Sequence, residues 1–207
     1  MSYTGQPVRR FEDFRLVSGQ GFYVDDIKIQ GMLHAVFLRS THAHARIRSI
    51  DVAAARGMPG VEAVLTGDDI LGIVPDLPTR SMSGEWEVDE FNAPEHPALA
   101  VGKVSYVGQT VAVVVAQDSS QARDALELIQ VDYQPLPVVL DPLDAASPES
   151  TPIHEELGTN VALRIHHDRQ GEKLDEAFAL ADRVVGQRFD VQRLAAVPME
   201  TRALIAH

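Results

Sequence analysis

Hydrophobic residues fall along the chain in short blocks, and the spacing within each block predicts an element. Met32 to Leu38 is a dense apolar run and reads as a buried strand. From Ala45 to Val52, Ile47, Ser49 and Asp51 alternate with Arg46, Arg48 and Ile50, as in a strand with one exposed face. Val52 to Arg56 reads as a short helix closed by Gly57. Val61 to Leu65 reads as a strand stopped by the turn Gly67-Asp68-Asp69. The strongest strand signal is Val104 to Val115, whose near-continuous apolarity predicts burial on both faces. Ala122, Ala125, Leu126 and Ile129 then recur at helical spacing behind a cap at Ser119 or Ser120. Val131 to Leu140 reads as a strand. Pro135 and Pro137 remove ladder donors, so it belongs at an edge or ends early. Strand, helix and strand over 104–140 predict a right-handed crossover.

The first 30 residues show no such period and read as an extended, irregular arm. Residues 67–100 carry Pro75, Pro78, Pro94 and Pro97 and read as a long loop, of the kind that lines an access route or a partner surface. Asp141 to Ala146 is a helical turn. Ser147 to Pro152 is the expected linker. Beyond it, Leu174, Ala177, Phe178 and Ala181 predict a helix, and Val184 to Val191 a strand. A second part with so few elements is expected to be poorly supported and to offer an unpaired edge.

Composition narrows the function classes. In 207 residues, 45% are hydrophobic and only 6% aromatic, so the core must be aliphatic. The balance of 18 basic against 30 acidic residues gives a net charge of −12. That argues against nucleic acid and against an anionic membrane surface. The absence of cysteine excludes disulfides and Cys-ligated zinc or iron–sulfur clusters within these residues. Met1 to Ile27 is polar, without a signal-peptide core, and no window approaches a membrane span. The expected location is the cytoplasm.

Several small groups invite a chemical reading. His42 and His44 fall on one face of a strand and are two ligands toward a metal, short of the set zinc requires. The rings of adjacent His166 and His167, with Asp168 beside them, point apart in extended chain and suit a solvated loop. Asp25-Asp26 and Asp68-Asp69 lack the ligand spacing of a calcium loop and suit turn and cap chemistry. Gly19-Gln20-Gly21 looks like part of a dinucleotide loop but neither follows a strand nor opens a helix. Nothing in the sequence positions a Ser-His-Asp set. By residues alone this is an α+β chain without a convincing active site.

Seven ordered blocks resemble one family, the large subunit of molybdenum hydroxylases (xanthine dehydrogenase, aldehyde oxidase and aerobic carbon monoxide dehydrogenase). Pro7 to Ile27 resembles its opening pattern. Arg39-Ser40-Thr41-His42-Ala43-His44-Ala45-Arg46-Ile47 resembles Arg-Ser-Pro-x-Ala-His-Ala-x-Ile, with Thr41 at the usual proline. Pro59 to Asp69, Val107 to Ala116 and Val131 to Pro137 are similar to three further blocks. So is the stretch with Asn160 and Leu174 to Val185, and Pro198 to Ala203 resembles Pro-Met-Glu-Pro-Arg. The resemblance implies an α/β hammerhead domain, a mixed sheet with packed helices, over 1–146. It implies a linker and truncated start of the molybdopterin-binding region over 147–207. Gly19, Gly21 and Gly108 become backbone-geometry positions, Asp25-Asp26 a turn, His44 a packing or hydrogen-bonding residue and Glu200 a structural one. The family's molybdenum–molybdopterin, iron–sulfur clusters and FAD are then held by other regions or subunits. This stretch is expected to carry no catalytic, cofactor-binding or metal residue, and to be inactive alone. Its role is scaffold and subunit contact, with the rest of the large subunit and the iron–sulfur and flavin subunits as partners. The competing readings are a free-standing binding or assembly module on the same fold, and a metal enzyme built on His42, His44 and an acidic pair.

Overall fold

A computed structural model describes residues 3–78, 87–166, 171–198 and 201–206. In chain order the elements are α1 (Asp13–Val17), β1 (His34–Arg39), β2 (Ala45–Asp51), α2 (Ala53–Arg56), β3 (Val61–Thr66), α3 (Gly67–Ile70) and β4 (Glu87–Phe91). They continue with β5 (Lys103–Val104), β6 (Thr110–Ala116), α4 (Ser119–Glu127), β7 (Gln130–Pro135), α5 (Pro142–Ala146), β8 (Leu163–His166) and α6 (Gly171–Leu180). By contacts the chain divides into Leu33–Arg183 and a second unit made of its two ends, Met1–Met32 and Val184–His207. This division does not coincide with Ser147–Pro152.

Among the described residues of 33–183, three small sheets form: β1-β6-β3, β5-β2-β7 and β4-β8. Every pairing among the described residues is antiparallel. The expected mixed pairing is therefore absent there, and 104–140 is no parallel crossover. β6 and β7, on either side of α4, join different sheets. Helices nevertheless pack on sheet as expected. α2 and α4 cover one face of β1-β6-β3, burying Val52, Ala55, Val64, Ala112, Val114, Ala116, Ala122, Ala125 and Ile129. A second cluster joins Ala45, Ala100, Val104 and Val111 to Ile47 and Tyr133. β7 is an edge strand and ends at Pro135, as its prolines required.

Other expectations are corrected. The Val104–Val115 run is two strands. Between them Gln109 turns inward, and its Oε1 accepts from the Ser105 amide at 2.7 Å. β6 is not buried on both faces, since Val113 and Val115 are only half-buried. β1 is not a buried strand either, because Ala35 and Phe37 face outward. α4 is capped by Asp118, whose Oδ1 accepts from the Ser120 amide at 2.7 Å, not by Ser119 or Ser120. The 67–100 segment holds α3 and β4 and ends in buried Leu99 and Ala100. The expected linker leads into a stretch tied to the sheets. Lys103 Nζ donates to the Ile153 carbonyl at 2.6 Å, and Asn92 Nδ2 to that of Val161 at 2.9 Å. Asn160 braces the loop by accepting from the Ile153 amide and donating to the Thr151 carbonyl. Val184–Val191 forms no strand. A strand needs a ladder partner, none of the pairings among the described residues includes it, and its apolar side chains are exposed. α6 leaves Leu174 and Phe178 exposed.

In the unit made of the two ends, the arm contains α1 where irregular chain was expected. Its apolar Phe14 and Val17 stay exposed, so burial leaves no periodic trace in the sequence.

Candidate functional site

Three of the sequence blocks that carry the resemblance, 39–47, 107–116 and 131–137, meet around the end of β1. Ser40 is buried; its amide donates to the Gln109 carbonyl and its carbonyl accepts from the Gly108 amide, both at 2.8 Å. Its hydroxyl donates to the His42 carbonyl at 2.9 Å and accepts from the His42 amide at 3.0 Å. Arg39 Nη1 donates to the Gly108 carbonyl at 2.9 Å. Gly108 has φ 89°, a conformation glycine adopts without strain. Buried polar groups must find partners or cost stability, and here backbone groups supply them. Ser40 has no base beside its hydroxyl in these bonds and is not set up as a nucleophile.

The two histidines of this block go separate ways. The His42 ring packs on Tyr133, with centroids 4.7 Å apart and planes tilted by 47°. His44 is buried, and its Nδ1 lies 2.7 Å from the Pro137 carbonyl, so that nitrogen is the N–H donor. The chain also crosses here, as Leu136 donates its amide to the His44 carbonyl at 2.9 Å. His44 is thus a hydrogen-bonding residue, as the resemblance implied. Burial pushes the Tyr133 phenol above its ordinary pKa, against a smaller opposing effect of Ser40. Arg39, Gln109 and Tyr133 have no assigned role in the sequence pattern; the one signal for them is that all three lie inside blocks that carry the family resemblance.

The acidic pairs act locally. Asp26 Oδ2 accepts from the Tyr23 amide at 2.9 Å. Asp69 Oδ2 accepts from the Thr66 amide at 2.7 Å and the Thr66 hydroxyl at 2.8 Å, and Asp69 pairs with Arg56 at 3.3 Å. Asp68 stands exposed at a cleft of about 200 Å³ between the sheets, where Arg48 is the other ionisable residue. Gly19-Gln20-Gly21 ends a helix rather than cradling a phosphate. The Gln20 amide reaches the Arg15 carbonyl at 2.8 Å and the Gly19 amide that of Leu16 at 3.4 Å, with Gly19 at φ 72°. That is the left-handed helix stop glycine provides. His166 lies on β8, while His167, Asp168 and Glu200 lie outside the described residues.

The Thr66–Asp69 bonds make a prediction. The carboxylate is held below the usual range by the Thr66 amide, then the Thr66 hydroxyl, with desolvation opposing and Arg56 assisting. A carboxylate with a depressed folded pKa stabilises fully above its unfolded value, and that contribution fades as pH falls through the folded one. Asp69→Ala is expected to cost about 1 kcal/mol at neutral pH. Thermal melts should show the gap from wild type narrowing as pH drops below the carboxylate range. A gap independent of pH contradicts this.

Among the described residues no three His, Asp or Glu side chains gather as a metal site. Among the described residues two buried side-chain atoms lack partners, His44 Nε2 and Gln121 Oε1. They are single atoms, one just before β2 and one on α4, not a cradle. The described residues do not fit a pterin or a molybdenum centre.

Residues 18–137 match the family described as aldehyde oxidase and xanthine dehydrogenase, a/b hammerhead domain. The chain belongs to this family. Its hammerhead relatives include the carbon monoxide dehydrogenase large chain of Afipia carboxidovorans, 39% identical, with 96% of this chain and 25% of the relative covered. The nicotine 6-hydroxylase large subunit of Paenarthrobacter nicotinovorans is also 39% identical, with coverage of 98% and 24%. The solved Cu,Mo-CO dehydrogenase in its carbon monoxide reduced state superposes with a TM-score of 0.65 at 39% identity, over 85% of this chain and 22% of that one. The chain therefore spans about a quarter of the length of the curated relatives it matches. Those relatives are oxidoreductases by name. Among the described residues no helix is long and apolar enough to cross a membrane.

Proposed function

We infer that this chain is the frame of a molybdenum hydroxylase large subunit, and that its own side chains serve scaffold and subunit contact rather than catalysis. In this reading 1–146 is the hammerhead with its arm. Residues 147–207 are the linker and the start of the molybdopterin-binding region. Molybdenum–molybdopterin, the iron–sulfur clusters and FAD lie on other regions or subunits, which are the partners, in the cytoplasm. The observation that carries the reading is the fate of the shared polar residues. Ser40, His44 and Gln109 are turned inward and bonded to backbone carbonyls and amides. The Ser40 hydroxyl, the Gln109 Oε1 and the His44 Nδ1, so occupied, hold chain segments in place and are not free to bind or activate a substrate.

The test is metal and activity analysis of the chain purified from a host that makes the molybdenum cofactor. The expected result is no stoichiometric molybdenum and no oxidation of aldehydes, purines or carbon monoxide. Stoichiometric molybdenum overturns the reading. Zinc titration of the same protein is expected to be unaffected by His42→Ala and His44→Gln; a tight site lost in both variants contradicts the frame role of the pair.

A further inference from the structure

The outer face of β1-β6-β3 is apolar and uncovered within the unit 33–183. The register sets Phe37, Val113 and Leu65 in one row across the three strands, and Ala35, Val115 and Ala63 in the next. The opposite face of the same strands is buried under α2 and α4. The second core takes in Val111, at the irregularity in the β1–β6 pairing, and reaches no further along β6. Beyond it Val113 and Val115 are half-buried, while Phe37 and Leu65 are 47% and 36% exposed. These rows contain no charged or hydrogen-bonding side chain. A sheet apolar on both faces is a middle layer, and contiguous apolar surface of this kind marks an interface.

We propose that this face is where the remainder of the large chain packs, as the layer that completes the hammerhead. The proposal rests on the frame reading above. Two observations select this occupant. The relatives' large chains extend far beyond the matched quarter, so about three quarters of such a subunit remains to supply a covering layer. A second copy, the rival occupant, carries the same net charge of −12 and is repelled. The wholly apolar rows also suit a permanent contact better than a transient one, since permanent interfaces resemble a core cut in half.

The experiment compares the 207-residue chain with a chimaera in which it replaces the matching quarter of the Afipia carboxidovorans carbon monoxide dehydrogenase large chain. Hydroxyl-radical footprinting reads oxidation at Phe37 and Leu65 in both. The expected result is several-fold protection in the chimaera and none in the isolated chain at any concentration. Phe37→Glu and Leu65→Glu should leave the melting temperature of the isolated chain unchanged and lower that of the chimaera. Equal labelling in an assembled chimaera overturns the docking face while leaving the frame reading intact. Protection in the isolated chain that grows with concentration assigns the face to a second copy and overturns the proposal. A chimaera that never assembles overturns both.

Discussion

Gly67→Ala is expected to destabilise the chain by about 2–3 kcal/mol, roughly 5–10 °C in Tm for a chain of this size. Gly67 opens α3 directly after β3 and is buried. A Cβ built there would lie 2.3 Å from the Ala100 carbonyl oxygen. That oxygen cannot rotate aside. Ala100 is buried in the second core, and its amide is fixed to the Thr110 carbonyl at 2.8 Å. Replacing glycine by alanine ordinarily stabilises by about 0.4–1 kcal/mol through the unfolded chain. Here the clash between two backbone segments outweighs that gain. Gly186→Ala is the control, since nothing lies within 4 Å of its added Cβ; it is expected to stay within about 0.5 kcal/mol of wild type. Equal melting temperatures for the two variants would contradict the close approach of α3 to Ala100.

Ala122→Leu is expected to cost about 1–3 kcal/mol, because overpacking a tight core forces backbone shifts. α4 meets the sheet through alanines on both sides: Ala122 and Ala125 from the helix, Ala112 and Ala116 from β6, all with no exposed surface. Small residues on both sides let the helix lie close to the strands, and a leucine has no void to enter. Arg123→Leu, one position along on the exposed face, serves as the comparison and should change stability by less than about 0.5 kcal/mol. Chemical denaturation of both variants checks the pair. A neutral Ala122→Leu would mean that α4 is not held against β6 as described.

The elements that local pattern controls were legible in the sequence. α4 followed from the spacing of Ala122, Ala125 and Leu126, and the early end of β7 from Pro135. The alternation expected of β2 instead breaks at a bulge between Ile47 and Ser49, which leaves Ser49 exposed and turns Ile50 onto the core. What long-range partners control was not legible. The turn at 105–109 lies inside an apolar run, and it exists because Gln109 and Arg39 bond across it. Whether His44 is a ligand or a tie depends on a carbonyl at Pro137, 93 residues away. The partition of β6 and β7 into separate sheets has no local signature, so a parallel crossover and two antiparallel sheets give the same pattern. The same limit hid the missing strand at Val184–Val191. Its residues favour a strand, but a ladder partner decides whether one forms.

In the proposed frame role, this stretch supports a large subunit without choosing its chemistry. The chimaera with the Afipia carboxidovorans carbon monoxide dehydrogenase large chain tests it most directly, through its activity profile against carbon monoxide, nicotine and purines. The expected result is an assembled enzyme that oxidises carbon monoxide and keeps the substrate profile of the parent large chain. An assembled chimaera whose substrate profile changes with this segment would contradict it, and would place specificity within these 207 residues.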